Sequence, residues 1–263
     1  MRVLLIIAFS FLYAFVNAQK APTLIQSFNL IGNQIETDNT GLMYLLKNEE
    51  IIQFNEEGKV LNRFSKKVAG NIYFMDFFNS LKPLVFYKNS SQFVLLDNRL
   101  APRMELIDLS QLGFAQAGLV CASNMNYIWV YDNAALGLVR LNAAFENTIE
   151  TGNLNQILGK ELNPNYMFEK FNKLYLNDPA LGILVFDIYG NYSNTIPVKG
   201  LKKFKVDNNL LYFADNSTLS IFDLIGKDFN QISLPVKAIV DVLISDNDIW
   251  IATANMLYHY KFE

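Results

Sequence analysis

Residues 173–187 read KLYLNDPALGILVFD, in which two apolar runs flank a short polar turn. The same order of apolar run, turn and apolar run occurs six times along the chain. The other five copies are LMYLLKNEEIIQFN (42–55), PLVFYKNSSQFVLLD (83–97), YIWVYDNAALGLVRLN (127–142), LLYFADNSTLSIFD (210–223) and IWIATANMLYHYKF (249–262). Each copy predicts two antiparallel strands joined by a tight turn.

The turns of these copies recur about every 41 residues, at Asn48, Asn89, Asn133, Asp178, Asn216 and Asn255. A polar turn also precedes each copy, and a more polar segment follows it, which gives four strands per unit. A period near 40 with four strands per unit is typical of a β-propeller. We therefore predict an all-β fold, a six-bladed β-propeller with four antiparallel strands in each blade.

The blade boundaries follow from the same turns. They place the six blades at about 33–66, 71–109, 115–151, 164–198, 201–234 and from 237 onward. The sixth blade has only three strands of its own, and residues 23–30 form a spare one. We expect this N-terminal strand to complete the last blade, because that pairing closes the ring and removes two free sheet edges. A β-sandwich would lack the sustained period, and parallel αβ units would need more helix than the short candidate at 154–159.

The N-terminus has the features of a secretory signal. Arg2 precedes an apolar run over 3–15, and Val16-Asn17-Ala18 places small residues at the −3 and −1 positions. These features predict a signal peptide over 1–18 and a single propeller domain over 19–263. A membrane anchor is the alternative, but the run is shorter than the ~20 residues that a spanning helix needs. We expect an exported, monomeric domain in the periplasm or cell envelope, with no transmembrane segment in the mature chain.

Composition and residue counts argue against several functional classes. The net charge is −3 and the lysine pairs Lys66-Lys67 and Lys202-Lys203 are isolated, which argues against nucleic-acid binding. The single cysteine, Cys121, excludes an intramolecular disulfide and is expected to be buried. His259 is the only histidine, so a transition-metal site of the usual nitrogen and sulfur type is disfavoured, and we expect it to pack. Trp129 and Trp250 occupy matching positions in blades three and six and are expected in the core.

The predicted innermost strands carry charged residues that we expect to line a central channel. These are Glu36, Asp76, Glu169, Lys205, Asp207 and Asp241. The acids among them, Glu36, Asp76, Glu169, Asp207 and Asp241, could bind Ca²⁺ through oxygen ligands. The simpler interpretation is that they hydrate the channel, because they do not occupy equivalent positions of the repeat. The sequence predicts no catalytic residue and no cofactor-binding residue. Met75-Asp76-Phe77-Phe78 could form part of a recognition rim, but we expect one phenylalanine in the core and the other under a loop.

Two phrases, ILVFDIYG at 183–190 and LSIFDLIG at 219–226, resemble the repeat step of NHL-like and TolB-like six-bladed propellers. The chain is also similar to exported propellers of Bacteroidota, including in a short signal that ends in Ala-Gln. Calcium-dependent lactonases share the fold, but their ligands match no residues here one by one. The resemblance implies a fold, and it implies partners among envelope or secretion-associated proteins. We expect a non-enzymatic, protein-binding scaffold. The alternative is a channel-mouth small-ligand binder or a Ca-dependent hydrolase.

Overall fold

The computed structural model describes residues 22–38, 40–245 and 247–262. Within these ranges it shows six antiparallel sheets of four strands each, arranged as the blades of a propeller. The predicted signal peptide over 1–18 lies outside the described residues. Among the residues that are described, no helix is long and apolar enough to cross a membrane.

Each blade starts at its innermost strand and proceeds outward. Blade one contains β2 (Gln34–Thr37), β3 (Met43–Lys47), β4 (Glu50–Phe54) and β5 (Val60–Ser65). Blade two contains β6 (Phe74–Asp76), β7 (Leu84–Tyr87), β8 (Gln92–Leu95) and β9 (Ile107–Asp108). Blade three contains β10 (Ala117–Ala122), β11 (Ile128–Asp132), β12 (Gly137–Leu141) and β13 (Asn147–Glu150).

The remaining blades follow the same order. Blade four contains β14 (Tyr166–Lys170), β15 (Lys173–Asp178), β16 (Gly182–Asp187) and β17 (Tyr192–Ile196). Blade five contains β18 (Lys205–Asp207), β19 (Leu210–Asp215), β20 (Thr218–Asp223) and β21 (Phe229–Ser233). Blade six contains β22 (Ile239–Ser245), β23 (Asp248–Thr253), β24 (Leu257–Lys261) and, on its outside, β1 (Thr23–Phe28). The six blades and their predicted boundaries are confirmed.

Within the described ranges, helical structure is confined to the connections. The candidate at 154–159 is the short helix α1 (Leu154–Leu158), whose first turn is capped by the Asn153 side chain accepting from the Gln156 amide at 3.1 Å. Short 3-10 helices lie at Lys67–Ala69, Lys88–Ser90, Leu109–Leu112 and Asn124–Asn126.

The ring is closed by pairing between the two ends of the described chain. Strand β1 runs antiparallel to β24, with Thr23 opposite Lys261 and Phe28 opposite Leu257. Most side chains of β1 are exposed, but Phe28 is buried and stacks against Trp250 at 5.6 Å between ring centroids. Backbone pairing and one buried ring therefore hold this strand, as the closure argument from the sequence predicts.

Gly58 makes room for that ring. A Cβ atom at Gly58 would lie 2.1 Å from the Phe28 ring, and the glycine has a φ of +74° that other residues rarely adopt. The turn of blade one at this position thus packs directly on the closing strand.

The core lies between adjacent blades and contains the residues that the sequence assigned to it. Trp129, Trp250 and Cys121 are all buried. His259 stacks on Trp250 at 4.0 Å between ring centroids, and its Nε2 lies 2.7 Å from Asp248 Oδ1. The expectations of a buried cysteine, core tryptophans and a packing histidine are confirmed.

Deleting residues 19–30 from the mature chain should lower its melting temperature strongly, because β24 would lose its ladder of hydrogen bonds and its edge would be free. The loss should exceed that of Phe28→Ala, which keeps the strand and should cost about 3 kcal/mol. Thermal unfolding followed by circular dichroism measures both effects.

A matched control separates backbone pairing from side-chain contacts. The double variant Leu24→Thr with Ile25→Thr changes two exposed residues of β1 and should keep the melting temperature nearly unchanged. If the truncated protein had the same melting temperature as the mature protein, closure of the ring by β1 would be contradicted.

Candidate binding site at the channel mouth

One face of the propeller carries the mouth of the central channel. Because consecutive strands alternate in direction, the turns after the first and third strands of every blade emerge together on this face. We call it the mouth face. A cavity of about 500 Å³ lies here, lined mainly by the ends of the innermost strands and by the turn residues that follow them.

Aromatic rings form part of the cavity wall. Tyr166 packs edge to face against Phe74 at 5.4 Å and against Phe204 at 5.7 Å, and Phe168 lies 5.3 Å from Phe204. Phe78 also lines the cavity. These rings give the channel an apolar lining between its charged residues.

The neighbouring residues Phe77 and Phe78 divide between the core and the cavity wall. Phe77 is buried and stacks on Tyr44 with 3.7 Å between ring centroids. Phe78 is half-buried and lines the cavity. The prediction of one core phenylalanine is therefore confirmed.

The hydroxyl of Tyr166 makes no hydrogen bond with any described residue. Burial raises the pKa of Tyr166 well above its usual value, and the negative charges of Glu36, Asp241 and Asp76 raise it further. The phenol is therefore neutral at ordinary pH. It can both donate and accept a hydrogen bond in the cavity.

Lys205 balances part of the negative charge. Its Nζ lies 2.5 Å from Glu36 Oε1, 2.5 Å from the Ile35 carbonyl oxygen and 3.7 Å from Asp241 Oδ2. Burial alone would lower the pKa of Lys205, but the carboxylates of Asp241 and Glu36 raise it above its usual value. The lysine is thus a fixed positive charge. It links blade five to blades six and one.

Three carboxylates join neighbouring blades. Asp76 of blade two accepts the Ala122 amide of blade three at 2.8 Å, and Asp241 of blade six accepts the Ile35 amide of blade one at 2.9 Å. Glu169 of blade four accepts the indole N–H of Trp129 in blade three at 2.8 Å. These acids accept hydrogen bonds from backbone amides or an indole N–H of an adjacent blade.

The structure tests the placement of the predicted channel residues. Glu36, Asp76, Glu169, Lys205, Asp207 and Asp241 all lie on innermost strands. All of them except Asp241 line the cavity. Across 22–38, 40–245 and 247–262, no three His, Cys, Asp or Glu side chains are grouped so that they could hold a metal ion. A Ca²⁺ site stays a prediction.

Large apolar side chains are exposed at several turns of the mouth face. Met125, Phe171 and Tyr189 are 81%, 52% and 68% exposed. We call these three residues the apolar tips. Leu81 and Ile225 are exposed at turns of the same face in blades two and five. On the opposite face, Val68 and Ile157 are exposed in two separate connections.

The apolar tips belong to one junction, between blades three and four. Asn124 Nδ2, next to Met125, donates to Asn172 Oδ1, next to Phe171, at 3.3 Å. Arg140 of blade three donates to the Ile188 carbonyl oxygen, beside Tyr189, at 3.2 Å. The three turns are therefore held in contact through polar neighbours, while their apolar side chains face solvent.

Two of the tips sit in unfavourable backbone conformations. Phe171 and Met125 have φ values of 52° and 54°, in the left-handed region. That region costs a residue with a side chain about 1–2 kcal/mol, and asparagine tolerates it best. Blade five places Asn208, with a φ of 49°, at the position that Phe171 takes in blade four. The fold therefore does not require a phenylalanine there.

Comparison with known proteins supports the fold and identifies no family. No protein-family model matches the chain, and no curated protein matches it significantly. Virginiamycin B lyase from Staphylococcus aureus is similar in structure, with a TM-score of 0.57 and 11% identity over 87% of this chain and 80% of that one. The WD40 domain of Neurospora crassa Pan2 gives a TM-score of 0.62 at 10% identity, over 88% of this chain and 89% of that one.

An extracellular domain of a bacterial protein is also similar. The extracellular domain described for a hybrid two component system of B. thetaiotaomicron has a TM-score of 0.60 and 14% identity. The match covers 90% of this chain and 35% of that one. At such identities the likeness shows only a similar fold, and the six-bladed propeller seen in this chain is the part of the expected resemblance that is confirmed.

The buried carboxyl of Asp76 should make stability depend on pH. Burial raises its pKa to about 7, against two backbone hydrogen bonds that lower it, and the charges of Glu36 and Glu169 raise it further. A raised folded-state pKa means that stability is lost as the pH rises from about 4 to 7. Relative to wild type, the free energy of unfolding of Asp76→Asn should increase by roughly 3 kcal/mol from pH 5 to pH 8. Wild type loses stability over about two pH units of this window, and one pKa unit corresponds to about 1.4 kcal/mol.

Urea unfolding at each pH measures this difference, and subtracting wild type cancels the other acids. As a control, Asp97→Asn removes a carboxyl whose pKa is lowered by hydrogen bonds from the Ala101 and Arg99 amides. The effect of Asp97→Asn on the pH dependence of stability should be opposite in sign to that of Asp76→Asn and should occur at lower pH. Parallel pH profiles for Asp76→Asn and wild type would contradict the assignment.

Proposed function

We propose that this chain is an exported, non-enzymatic propeller that binds a protein partner on its mouth face. The observation that carries the proposal is the exposure of Met125, Phe171 and Tyr189 at one blade junction, two of them in left-handed turns. Large apolar residues that stay at least half exposed, two of them at a cost in backbone conformation, indicate a role outside the fold.

The geometry suits binding of a protein. Exposed aromatic and methionine side chains are the residue types enriched in protein interfaces. Here they project from short turns on a rigid ring, so that binding orders little additional chain. Polar neighbours such as Asn124, Asn172 and Arg140 surround them and would form the rim of the contact.

Export is supported by the sequence of residues 1–18. The likeness in fold to an extracellular domain from B. thetaiotaomicron fits this location. We therefore expect a monomeric propeller in a bacterial periplasm or cell envelope. Its partner would be an envelope or secretion-associated protein, as the resemblance to exported propellers implies.

The double variant Met125→Asn with Phe171→Asn provides a direct test. It should be at least as stable as wild type, because asparagine tolerates the left-handed turn better. It should lose at least nine-tenths of the partner recovered by cross-linking and co-purification from the native host, since interface energy concentrates in a few buried anchors.

The control is Ile157→Gln, which removes an exposed apolar side chain from the opposite face. This variant should recover the partner as wild type does. If the double variant retained every reproducible partner, binding at the mouth face would be disproved.

The alternative function is a small-ligand binder or a Ca-dependent hydrolase in the channel. The cavity of about 500 Å³ with aromatic and charged walls supports the ligand version. A Ca²⁺ ion present at a hundred times its dissociation constant would add about 2.7 kcal/mol of stability. Under our proposal the melting temperature in EDTA and in millimolar Ca²⁺ should be the same. A rise with Ca²⁺ that Asp207→Asn removes would favour the alternative.

A further inference from the structure

The cavity at the channel mouth carries an excess of negative charge. Its lining includes five carboxylates, from Glu36, Asp38, Asp76, Glu169 and Asp207, against the ammonium groups of Lys170 and Lys205. Most of these acids are occupied by internal contacts, as described above for Asp76 and Glu169. The acceptors that could bind a ligand are those with lone pairs left after these contacts.

Three side chains in the cavity wall keep lone pairs that a ligand could use. Glu36 makes its contacts through Oε1, and its Oε2 bonds no described residue. Asp207 is half-exposed; its Oδ1 lies 3.5 Å from Lys170 Nζ and its Oδ2 accepts from Asn208 Nδ2 at 3.3 Å, which leaves a further lone pair on each oxygen. The third acceptor is the hydroxyl of Tyr166, which is also unbonded. All three line the same cavity, and each can accept a hydrogen bond from an ammonium or guanidinium group.

The aromatic wall suits the same kind of group. A cation near the faces of Tyr or Phe rings is attracted to them, and the carbon stem of a long basic side chain packs on apolar surface. Phe74, Phe168 and Phe204 supply such surface around Tyr166. The cavity therefore complements a positive charge carried on an apolar stem.

The cavity is continuous with the apolar tips. Phe171 is one of the tips and also lines the cavity, and Lys170 Nζ lies 5.4 Å from its ring centroid. An occupant of the cavity thus touches Phe171. Chain on either side of that occupant would extend towards Met125 and Tyr189.

We propose that the channel mouth receives a lysine or arginine side chain of the partner protein, while apolar residues beside it in the partner pack on Met125, Phe171 and Tyr189. This inference rests on the proposed function and specifies the chemistry of the partner. The charge complementarity of the cavity and its continuity with the apolar tips select a basic residue within an apolar segment.

Three synthetic peptides test the two parts of the proposal. They are acetyl-Leu-Lys-Leu-amide, the same peptide with norleucine in place of lysine, and acetyl-Gly-Lys-Gly-amide. Trp129 provides the readout, since its indole N–H donates to Glu169 in the cavity wall, and its ¹⁵N-labelled indole signal can be followed by NMR. The indole of Trp250, in blade six, serves as an internal reference.

The Leu-Lys-Leu peptide should shift the Trp129 signal at millimolar concentration and bind at least tenfold more tightly than either control peptide. Its affinity should fall as salt is added. The substitution Asp207→Asn should weaken binding of the Leu-Lys-Leu peptide several-fold. Asp228→Asn, the same charge change at an exposed position on the mouth face of blade five, should leave it unchanged. Phe171→Asn should reduce its affinity to that of Gly-Lys-Gly.

Each contrary result would disprove a different part of the proposal. Equal binding of the lysine and norleucine peptides would overturn the basic anchor. Equal binding of Leu-Lys-Leu and Gly-Lys-Gly would overturn the partner segment in favour of a free amine. Absence of any Trp129 shift at millimolar peptide would overturn the inference as a whole. Co-purification with the tip variants tests the proposed function separately, so a failure of one can be distinguished from a failure of the other.

Discussion

The antiparallel pairing of β1 with β24 is the contact on which the rest of this structure depends. It completes the sheet of blade six and places that blade between blades five and one. Lys205 of blade five contacts both Asp241 of blade six and Glu36 of blade one, and this arrangement requires the three blades to be held in fixed positions. The cavity is lined by parts of blades one, two, four, five and six, so it exists only in the closed ring.

Within the closed ring, charge is used in two ways. Asp76, Asp241 and Glu169 are buried and accept hydrogen bonds from the adjacent blade, which satisfies backbone and indole donors that would otherwise lack partners. Glu36 and Asp207 are more open and keep acceptor capacity towards the cavity. Acidic residues on the innermost strands therefore join neighbouring blades at some positions and form a charged cavity surface at others.

The repeat allowed the fold to be predicted almost completely, because strand count, turn spacing and the spare strand at 23–30 are local properties of the sequence. The inner strands were also located correctly. What could not be predicted is where their acids point. Asp241 follows a register shift in the pairing of β22 with β23, and such a bulge redirects a side chain. Its separation from the cavity depends on this geometry.

The apolar tips were missed for a related reason. The sequence predicts a turn at 171–173, but a phenylalanine beside a strand carries no signal that shows whether its ring packs or faces solvent. The exposure of Phe171 is seen only in the folded ring. The comparison between Phe171 in blade four and Asn208 in blade five is visible in the sequence once the blades are aligned. The open hydroxyl of Tyr166, in contrast, depends on the convergence of several blades and has no local signal.

Closure by β1 also sets the order of events when the molecule is made. Residue 23 pairs with residue 261, so the first strand to leave the ribosome must wait for the last before the ring can form. Contacts of such long sequence separation slow folding. Until they form, β1 and the edge of blade six are both unpaired. Ring closure therefore comes after all six blades have been synthesised, however early the individual blades form.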